Sequence, residues 1–200
     1  SGQKTEKIGE GLDEYVDFLM ENSCDQIGIP TGFPRYDAAI GGGLRRKCVD
    51  LVSARPKVGK SVFADNVALS TAAKGVPVLM LDTEMSKEDH LNRIISNLTG
   101  IPVNDVATGK FADDEEKHTL VTKSVEHIKD IPYTYASVAG APFEQIMNII
   151  KRWIMQDVGV DENGRTNECV VVYDYLKLMS SNAITNNIQE YQALGFQITN

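Results

Sequence analysis

The sequence predicts an α/β protein in which helices flank a mainly parallel β-sheet. Two continuous apolar runs, residues 76–81 and 169–173, have the composition of strands buried on both faces. A third apolar segment, residues 49–52, leads into a small loop and then a helical pattern. Strands that alternate with helices in this way are typical of parallel βαβ units. We therefore expect a layered α/β domain.

The composition is that of one soluble domain. The chain has 200 residues, of which 42% are hydrophobic and 24% are charged, enough to form a substantial core. No apolar run approaches membrane-spanning length, so we expect no membrane partner, and no signal-peptide pattern follows the N-terminus. Three cysteines without metal-ligand spacing indicate a reducing compartment, and the predicted location is cytoplasmic. Of these cysteines, Cys48 and Cys169 lie in apolar contexts and are expected in the core.

The charge balance bears on the class of partner. A formal net charge of -8 argues against a uniformly basic nucleic-acid binder, although a local groove stays possible because recognition depends on where the charges lie. The three histidines, His90, His118 and His127, fall on charged helical surfaces and form no cluster. We expect them to be solvated rather than to act as ligands.

The chain is predicted to have two parts, residues 1–26 and 27–200. In the first part, a helix predicted over residues 8–22 has Leu12, Tyr15 and Leu19 on one face. The pattern fits equally well a helix docked on its own domain and an arm packed on a neighbouring subunit. The Gly- and Pro-rich start of the second part predicts turns ahead of the first core strand.

Residues 48–66 carry the pattern of a nucleotide-phosphate loop. A strand predicted at Val49, Leu51 and Val52 leads into the loop, and its last residues open a helix. Backbone N–H groups of such a loop point at phosphate oxygens. The lysine reaches the β- and γ-phosphates, and the hydroxyl that follows it binds Mg²⁺. The predicted nucleotide-binding residues are Ala54, Arg55, Pro56, Lys57, Val58, Gly59, Lys60, Ser61 and Val62.

One position departs from the phosphate-loop pattern G-x-x-x-x-G-K-[ST]. Ala54 stands where the first glycine belongs, and alanine is tolerated there only if its φ angle stays negative. The alternative is a chance Gly-Lys-Ser at the start of a helix. Strand, loop, Gly59-Lys60-Ser61 and helix nevertheless follow one another in the required order, so we predict a nucleoside triphosphate site.

Capping signals place the helices that follow. The helix after the loop is predicted over residues 62–73, with Gly75 just past its end. Ser86 is expected to cap a helix through residue 98, with Asp89 completing a capping box. The remaining predicted elements are a charged helix over residues 113–129, a strand over 133–136, a helix over 142–158 and a surface turn at 161–164.

Acidic residues follow two of the predicted strands, where ligands of parallel sheets lie. Asp174 comes directly after residues 169–173 and is expected to hold Mg²⁺ together with Ser61, although an Asp there could simply cap the next segment. Glu84 is expected to be the base that activates water, with Asp82 on the same face of an extended strand. The alternative is that Glu84 belongs to the start of the next helix, where its charge favours the dipole.

These motifs together resemble the RecA-like motor domain of DnaB-type replicative helicases. The family's phosphate loop commonly begins Ala-Arg-Pro and ends Gly-Lys-Ser/Thr, as residues 54–56 and 59–61 do. Residues 83–86, Thr-Glu-Met-Ser, match its Glu-Met-Ser motif, and residues 174–178, Asp-Tyr-Leu-Lys-Leu, are similar to its Asp-Tyr-Leu-Gln-Leu motif. Residues 29–33, Ile-Pro-Thr-Gly-Phe, look like the segment that joins linker to motor. The lysine at position 177 departs from the family's glutamine.

The resemblance implies a RecA-like P-loop NTPase that uses ATP and Mg²⁺ as part of a hexameric 5′→3′ DNA helicase. It implies single-stranded DNA as the track, primase and a helicase loader as further partners, and a bacterial or phage replisome as the setting. Glu84 would be the catalytic carboxylate, assisted by Lys60, and Asp174 would serve Mg²⁺. The helix over residues 8–22 would then dock on the next subunit.

An uncapped helix predicted from about residue 187 and a sheet of few strands predict a fragment of a longer protein. The resemblance implies that the γ-phosphate sensor, the arginine finger and the main DNA-binding loops follow residue 200. An arginine finger is worth about 10³–10⁵ in rate, so the fragment alone is expected to turn over slowly or not at all.

Two other functions remain open at the level of sequence. One is a related RecA-like ATPase of the recombinase or signalling type, against which the Ala-Arg-Pro and Asp-Tyr-Leu sequences argue. The other is a nucleotide-gated assembly module without significant turnover, against which Glu84 argues. The sequence leaves open the nucleotide preference, the translocation polarity, the ring size and any N-terminal domain.

Overall fold

Seven helices and three strands make up the described part of a computed structural model, which covers residues 5, 7–21, 23–24, 26–55 and 57–175. None of the helices in these ranges has both the length and the apolar character needed to cross a bilayer. In chain order the elements are α1 (Leu12–Glu21), α2 (Pro34–Ala39), α3 (Lys60–Ala73), β1 (Val78–Asp82), α4 (Lys87–Thr99), α5 (Val103–Ala107), α6 (Glu115–Asp130), β2 (Tyr133–Ser137), α7 (Phe143–Trp153, continued by a π-helical turn over Ile154–Val158) and β3 (Val170–Asp174).

The three strands form one parallel sheet in the order β2-β1-β3. The register places Asp82, the last residue of β1, opposite Ser137 of β2 and Asp174 of β3. The carboxyl ends of all three strands therefore meet at one edge of the sheet, where parallel sheets bind their ligands. The α/β class and the parallel sheet are confirmed.

Helices cover both faces of β1, which explains why its five residues are all buried. Leu79 and Leu81 pack in a cluster with residues of α7, and Val78 and Met80 pack in a cluster with residues of α3. Successive side chains of a strand point to opposite faces, so a strand between two helical layers must be apolar throughout. The sheet thus fixes the start of α3 beside the ends of β1 and β3.

Two predicted helix caps are confirmed, the glycine after α3 and the capping box of α4. Gly75 follows α3 with a φ angle of 84°, a left-handed conformation that glycine adopts without steric cost. Ser86 and Asp89 form the capping box of α4, in which each side chain accepts a hydrogen bond from the other residue's backbone N–H. The capping box starts α4 at Lys87, five residues after β1 ends at Asp82.

The strand predicted at Val49, Leu51 and Val52 is wrong. These side chains are 67%, 78% and 40% exposed, and residues 49–55 have no regular secondary structure. A strand needs a hydrogen-bonded neighbour, and within the described ranges β3 pairs only with β1. Three apolar residues do not by themselves distinguish a paired strand from an extended, unpaired lead-in to a loop.

Two further predictions differ from the structure, the turns around Pro34 and the burial of Cys48. Turns were expected around Pro34, but α2 begins there because proline already holds the φ angle that a first helical residue requires. The buried Asp37 of α2 accepts a 2.6 Å hydrogen bond from the Thr31 hydroxyl, which closes the turn before it. Cys48, expected in the core, is exposed, whereas Cys169 is half-buried. The helix predicted from about residue 187 lies outside the described residues.

Candidate nucleotide-binding site

The phosphate loop turns sharply into α3 at two left-handed residues. Lys57 has a φ angle of 66° and Gly59 one of 103°. A Cβ atom built on Gly59 would meet no atom within 4 Å, so the backbone face at the start of α3 is open. The only described non-glycine residues with positive φ are Lys47 and Lys57, so Ala54 keeps the negative φ that its side chain demands. Pro56 lies outside the described residues.

The open face of the loop is accessible and electropositive. Arg55, Lys57 and Val58 are exposed, and so are Ala54 and Val62, whereas Ser61 in the first turn of α3 is half-buried. The first N–H groups of a helix lack partners within it, and the helix dipole adds partial positive charge there. The N-terminus of α3, a helix of 14 residues, therefore suits a phosphate group.

Lys60 and Asp174 join the phosphate loop to β3. The ammonium Nζ of Lys60 lies 2.6 Å from Oδ1 of Asp174. The Asp174 carboxylate is nearly inaccessible, with a side-chain exposure of 6%, against 25% for Lys60. A buried carboxylate is costly unless a positive charge accompanies it. Whatever draws Lys60 away must therefore bring another cation to Asp174.

Tyr175 contacts both charged residues that were predicted to act on the nucleotide. The ammonium of Lys60 lies 3.8 Å from the centre of the Tyr175 ring. The Tyr175 hydroxyl donates a 2.9 Å hydrogen bond to Oε1 of Glu84. Lys60 and Glu84 thus lie around one side chain at the carboxyl edge of the sheet, where Lys60 also pairs with Asp174.

Glu84 does not lie on an extended strand with Asp82, as was expected. β1 ends at Asp82, and the chain then turns, held by a 2.9 Å hydrogen bond from the Thr83 N–H to the Asp174 carbonyl. Oδ1 of Asp82 accepts hydrogen bonds from the N–H groups of Glu84 and Met85, each at 2.6 Å. The Asp82 side chain is therefore turned back toward the chain that follows it, and Glu84 is exposed at the rim.

His90 is buried, contrary to the expectation that it is solvated. It is 3% exposed and lies between two carboxylates. Its Nδ1 lies 2.7 Å from Oδ1 of Asp65, in α3, and its Nε2 lies 3.0 Å from Oδ2 of Asp82, in β1. Arg93, one turn further along α4, donates a 2.9 Å hydrogen bond to the other oxygen of Asp65. We call Asp65, His90 and Asp82, together with Arg93, the Asp-His-Asp bridge.

The two carboxylates favour the charged form of His90. Burial lowers the pKa of His90, but the hydrogen bonds and negative charges of Asp65 and Asp82 outweigh burial and raise it above its ordinary value. A neutral imidazole has only one N–H, whereas both ring nitrogens here face a carboxylate oxygen. The imidazolium satisfies both contacts. His118 and His127 are exposed, as expected.

A sequence signal for the bridge did exist. Asp65 shares one face of α3 with Ala68, Leu69 and Ala72, so a carboxylate lies on a stripe that is otherwise apolar. His90 likewise precedes the buried Ile94 by four residues, which places both on the inner face of α4. A titratable group on a core-facing stripe requires a buried partner, but the pattern does not show which partner.

The oxygen ligands at the sheet edge fit a magnesium ion. Ser61 offers a hydroxyl and Asp174 a carboxylate, both hard oxygen ligands of the kind that Mg²⁺ prefers. In the described ranges, no group of three or more His, Cys, Asp or Glu side chains could hold a metal ion by itself. Magnesium in nucleotide sites characteristically takes one or two protein ligands and completes its shell with phosphate oxygens and water.

Comparison with protein families gives one match over most of the chain. The family model described as "DnaB-like helicase C terminal domain" matches residues 28–198. Among curated proteins, the replicative DNA helicase DnaB of Helicobacter pylori strain 26695 is 29% identical over 187 residues, which are 92% of this chain and 36% of that protein. The replicative DNA helicase DnaB of Haemophilus influenzae is 28% identical over 201 residues, covering 92% of this chain and 38% of that protein.

Solved structures share the fold. One of them, described as an ATPase domain, aligns with a TM-score of 0.79 at 20% identity, covering 98% of this chain and 68% of that one. A DnaB-like replicative helicase, studied with its interactions with primase, aligns with a TM-score of 0.78 at 19% identity, covering 98% of this chain and 46% of that one. Both share the RecA-like α/β fold of this chain. The chain spans little more than a third of the two curated relatives, at 36% and 38%.

Proposed function

The chain belongs to the DnaB-like helicase C-terminal domain family, and from that premise we propose that it is the ATP-hydrolysing motor part of a replicative DNA helicase. The observation that carries this proposal is the meeting of Lys60, Asp174 and Glu84 at one edge of the sheet. Lys60 lies 2.6 Å from Asp174, and Tyr175 contacts both Lys60 and Glu84. Phosphoryl transfer needs a phosphate cradle, a metal carboxylate and a residue that positions water, and these side chains supply each part.

The phosphate loop and α3 would bind the triphosphate. Exposed backbone N–H groups around Gly59 would donate hydrogen bonds to phosphate oxygens. Lys60 would leave Asp174 and pair with the β- and γ-phosphates. Ser61 and Asp174 would hold Mg²⁺, which supplies neutralising charge at the phosphates. The exchange keeps the buried Asp174 carboxylate paired throughout, first with an ammonium and then with a metal ion.

Glu84 would act as the base toward the attacking water. It is exposed at the rim of the same edge, and its carboxylate already accepts a hydrogen bond from Tyr175. A positioned base contributes about 10²–10⁴ in rate. We therefore assign Glu84 the catalytic role, Lys60 a supporting catalytic role, and residues 54–62 the nucleotide contacts.

The partners proposed for the whole protein follow from the relatives. Those relatives are replicative DNA helicases, and one solved neighbour was studied with its interactions with primase. We propose single-stranded DNA as the track, a homo-hexamer as the assembly, primase and a helicase loader as further partners, and the cytoplasm as the setting. In this assembly α1 would be the arm that packs on the next subunit, because none of its residues is buried.

The test is ATP turnover by the full-length protein that contains this chain, measured with and without single-stranded DNA. We expect DNA to stimulate turnover. Glu84→Gln keeps the shape of the side chain but removes its basicity, so turnover should fall by about 10²–10⁴-fold while ATP binding is retained. Glu88→Gln, the same change at an exposed residue of α4, is the matched control and should leave turnover unchanged.

The outcomes separate the competing functions. Turnover that DNA does not affect would favour an ATPase of the recombinase-related or signalling type, which the family match already disfavours. Tight ATP binding with no turnover in the assembled protein would favour an assembly module. Full turnover by the Glu84→Gln variant would remove Glu84 from the catalytic role.

A further inference from the structure

We propose that His90 is a positioning residue. Through the Asp-His-Asp bridge it ties the turn over residues 82–86, which we call the Glu84 turn, to α3, the helix proposed to bind phosphate. This inference rests on the proposed function, because it concerns the placement of the base relative to the phosphate cradle. Nothing in the phosphate loop, the Glu84 motif or the Asp174 motif requires a histidine at this position. The bridge is built from residues outside those motifs, except that Asp82 lies two residues before Glu84.

At one end of the bridge, the Asp82 carboxylate fixes the conformation of the Glu84 turn. Oδ1 of Asp82 accepts the N–H groups of Glu84 and Met85 at 2.6 Å each. The Tyr135 hydroxyl of β2 donates a 2.7 Å hydrogen bond to the Met85 carbonyl. The turn is therefore held through its backbone, and any rotation of the Asp82 carboxylate would move the backbone that carries Glu84.

At the other end of the bridge, His90 and Asp65 fix the Asp82 carboxylate relative to α3. Its other oxygen, Oδ2, lies 3.0 Å from Nε2 of His90, and Nδ1 of His90 lies 2.7 Å from Asp65. Asp65 lies in α3 one turn after Lys60 and Ser61, which begin the same helix. The rigid imidazole ring of His90 thus connects the helix that would bind the phosphates to the turn that would carry the base, through its two ring nitrogens.

Charge and burial argue that this arrangement is specific rather than incidental. His90, Asp65 and Asp82 are 3%, 7% and 2% exposed, and burying charged groups is costly compared with apolar packing of the same volume. The charges balance only when His90 is protonated, with two cations (His90 and Arg93) facing two carboxylates. Balanced buried charges specify one geometry, and a misplacement of about 1 Å at a catalytic group can cost about 10²-fold in rate.

The test compares His90→Leu with His118→Leu in the full-length protein. His90→Leu removes both bridging hydrogen bonds but fills similar space, and His118→Leu makes the same change at an exposed histidine of α6. For His90→Leu we expect kcat for ATP to fall about tenfold or more, while KM and nucleotide affinity stay within about threefold. Backbone amide exchange in residues 82–86 should become faster in the same variant, because the turn is no longer fixed.

A second variant covers the case in which His90→Leu does not fold. Asp65→Asn preserves the volume and an acceptor for Nδ1 but removes the charge that pairs with the imidazolium. It should lower kcat by about threefold or more with nucleotide affinity retained. A merely structural role predicts instead a lower melting temperature with unchanged kcat per folded site, and unchanged kcat in either folded variant would overturn the proposal.

The result is separable from the proposed function itself. If Glu84→Gln abolishes turnover and His90→Leu leaves kcat unchanged, the catalytic assignment stands and the positioning role is wrong. If Glu84→Gln leaves turnover intact, the catalytic assignment is wrong, and the positioning role is overturned together with it.

Discussion

Lys60 and Asp174 form an ion pair at 2.6 Å that joins the first turn of α3 to the end of β3. The two residues are separated by 114 positions in sequence (174 − 60), yet each was predicted from its own local motif. Their contact means that the lysine proposed to bind phosphate and the carboxylate proposed to hold magnesium neutralise each other in this structure. On binding, the phosphates would therefore replace Asp174 as the partner of Lys60, and the metal ion would replace Lys60 as the partner of Asp174. No unpaired buried charge would be created.

Lys60→Ala is expected to weaken ATP binding by about tenfold to a hundredfold. A hydrogen bond to a charged group contributes about 1.5–3 kcal/mol, and in the proposed site the Lys60 ammonium pairs with the β- and γ-phosphates. Titration with a fluorescent ATP analogue measures the affinity. Lys74→Ala, at the exposed far end of the same helix, should bind as the unaltered protein does. Equal affinity in the two variants would remove Lys60 from the phosphate site.

The stability of the protein should depend on the protonation of His90. Its folded pKa is raised, so its stabilisation is fully present below an unfolded pKa of about 6.5 and is lost as pH rises through the folded pKa. The groups that face the ring are Asp65 from α3, Asp82 from β1, and Tyr135 from β2, with Arg93 on α4 itself pairing with Asp65.

Melting temperatures measured from about pH 6 to pH 9 test this dependence on the His90 proton. The melting temperature of the unaltered protein should decline across that window relative to that of His90→Gln, which cannot gain a proton. Tyr133, also on β2, stays neutral there, because burial and then the charges of Asp65 and Asp82 raise its pKa. Parallel curves for the two proteins would mean that His90 does not carry the bridging charge.

The Ser86 cap is expected to contribute measurably to the stability of α4. Ser86 Oγ accepts a 3.2 Å hydrogen bond from the Asp89 N–H, and the Asp89 carboxylate accepts one from the Ser86 N–H at 3.1 Å. Ser86→Ala removes the first bond together with the 2.9 Å bond that the Ser86 hydroxyl donates to the Asp89 carboxylate, and it should lower the free energy of unfolding by about 0.5–2 kcal/mol. Denaturant titration provides the measurement, and Ser86→Thr, which keeps a hydroxyl, should lose much less. If the alanine and threonine variants are equally stable, the cap does not contribute to the free energy of unfolding.

The apolar face of α1 should be needed for assembly. Leu12 and Leu19 are 53% and 48% exposed and share one side of the helix, so they are available to a neighbouring subunit. The double variant Leu12→Ser/Leu19→Ser should shift the full-length protein from the proposed hexamers toward smaller species. Analytical ultracentrifugation measures this shift, with Asp13→Ser/Asp17→Ser, on the other side of α1, as the control. Hexamers of unchanged stability would instead indicate that α1 has another role.

Local patterns predicted the parts of the fold that depend on neighbouring residues. The run at residues 76–81 and the box formed by Ser86 and Asp89 needed no knowledge of distant contacts, and both were confirmed. The predictions that failed depend on partners elsewhere in the chain. Residues 49–52 looked like a strand but lack a paired neighbour among the described strands, and His90 looked solvated because Asp65 lies 25 positions away.

The sequence named the residues of the proposed site but not their geometry. The positions of Lys60, Glu84 and Asp174 followed from motifs, whereas their meeting around Tyr175 depends on the packing of α3 and β3 at one sheet edge. The turn after β1, in which the Asp82 carboxylate accepts the Glu84 N–H, also escaped the pattern. Alternation along a strand predicts a shared face only while the strand continues, and β1 ends at Asp82.

Strand separation driven by ATP is the activity at the centre of the proposed function, and unwinding of a forked DNA duplex by the full-length protein is its sharpest test. We expect ATP-dependent release of one strand by the unaltered protein. We expect none by Glu84→Gln, even though that variant binds ATP and DNA. ATP hydrolysis and DNA binding without any strand release would contradict the helicase function, whatever the roles of the individual residues.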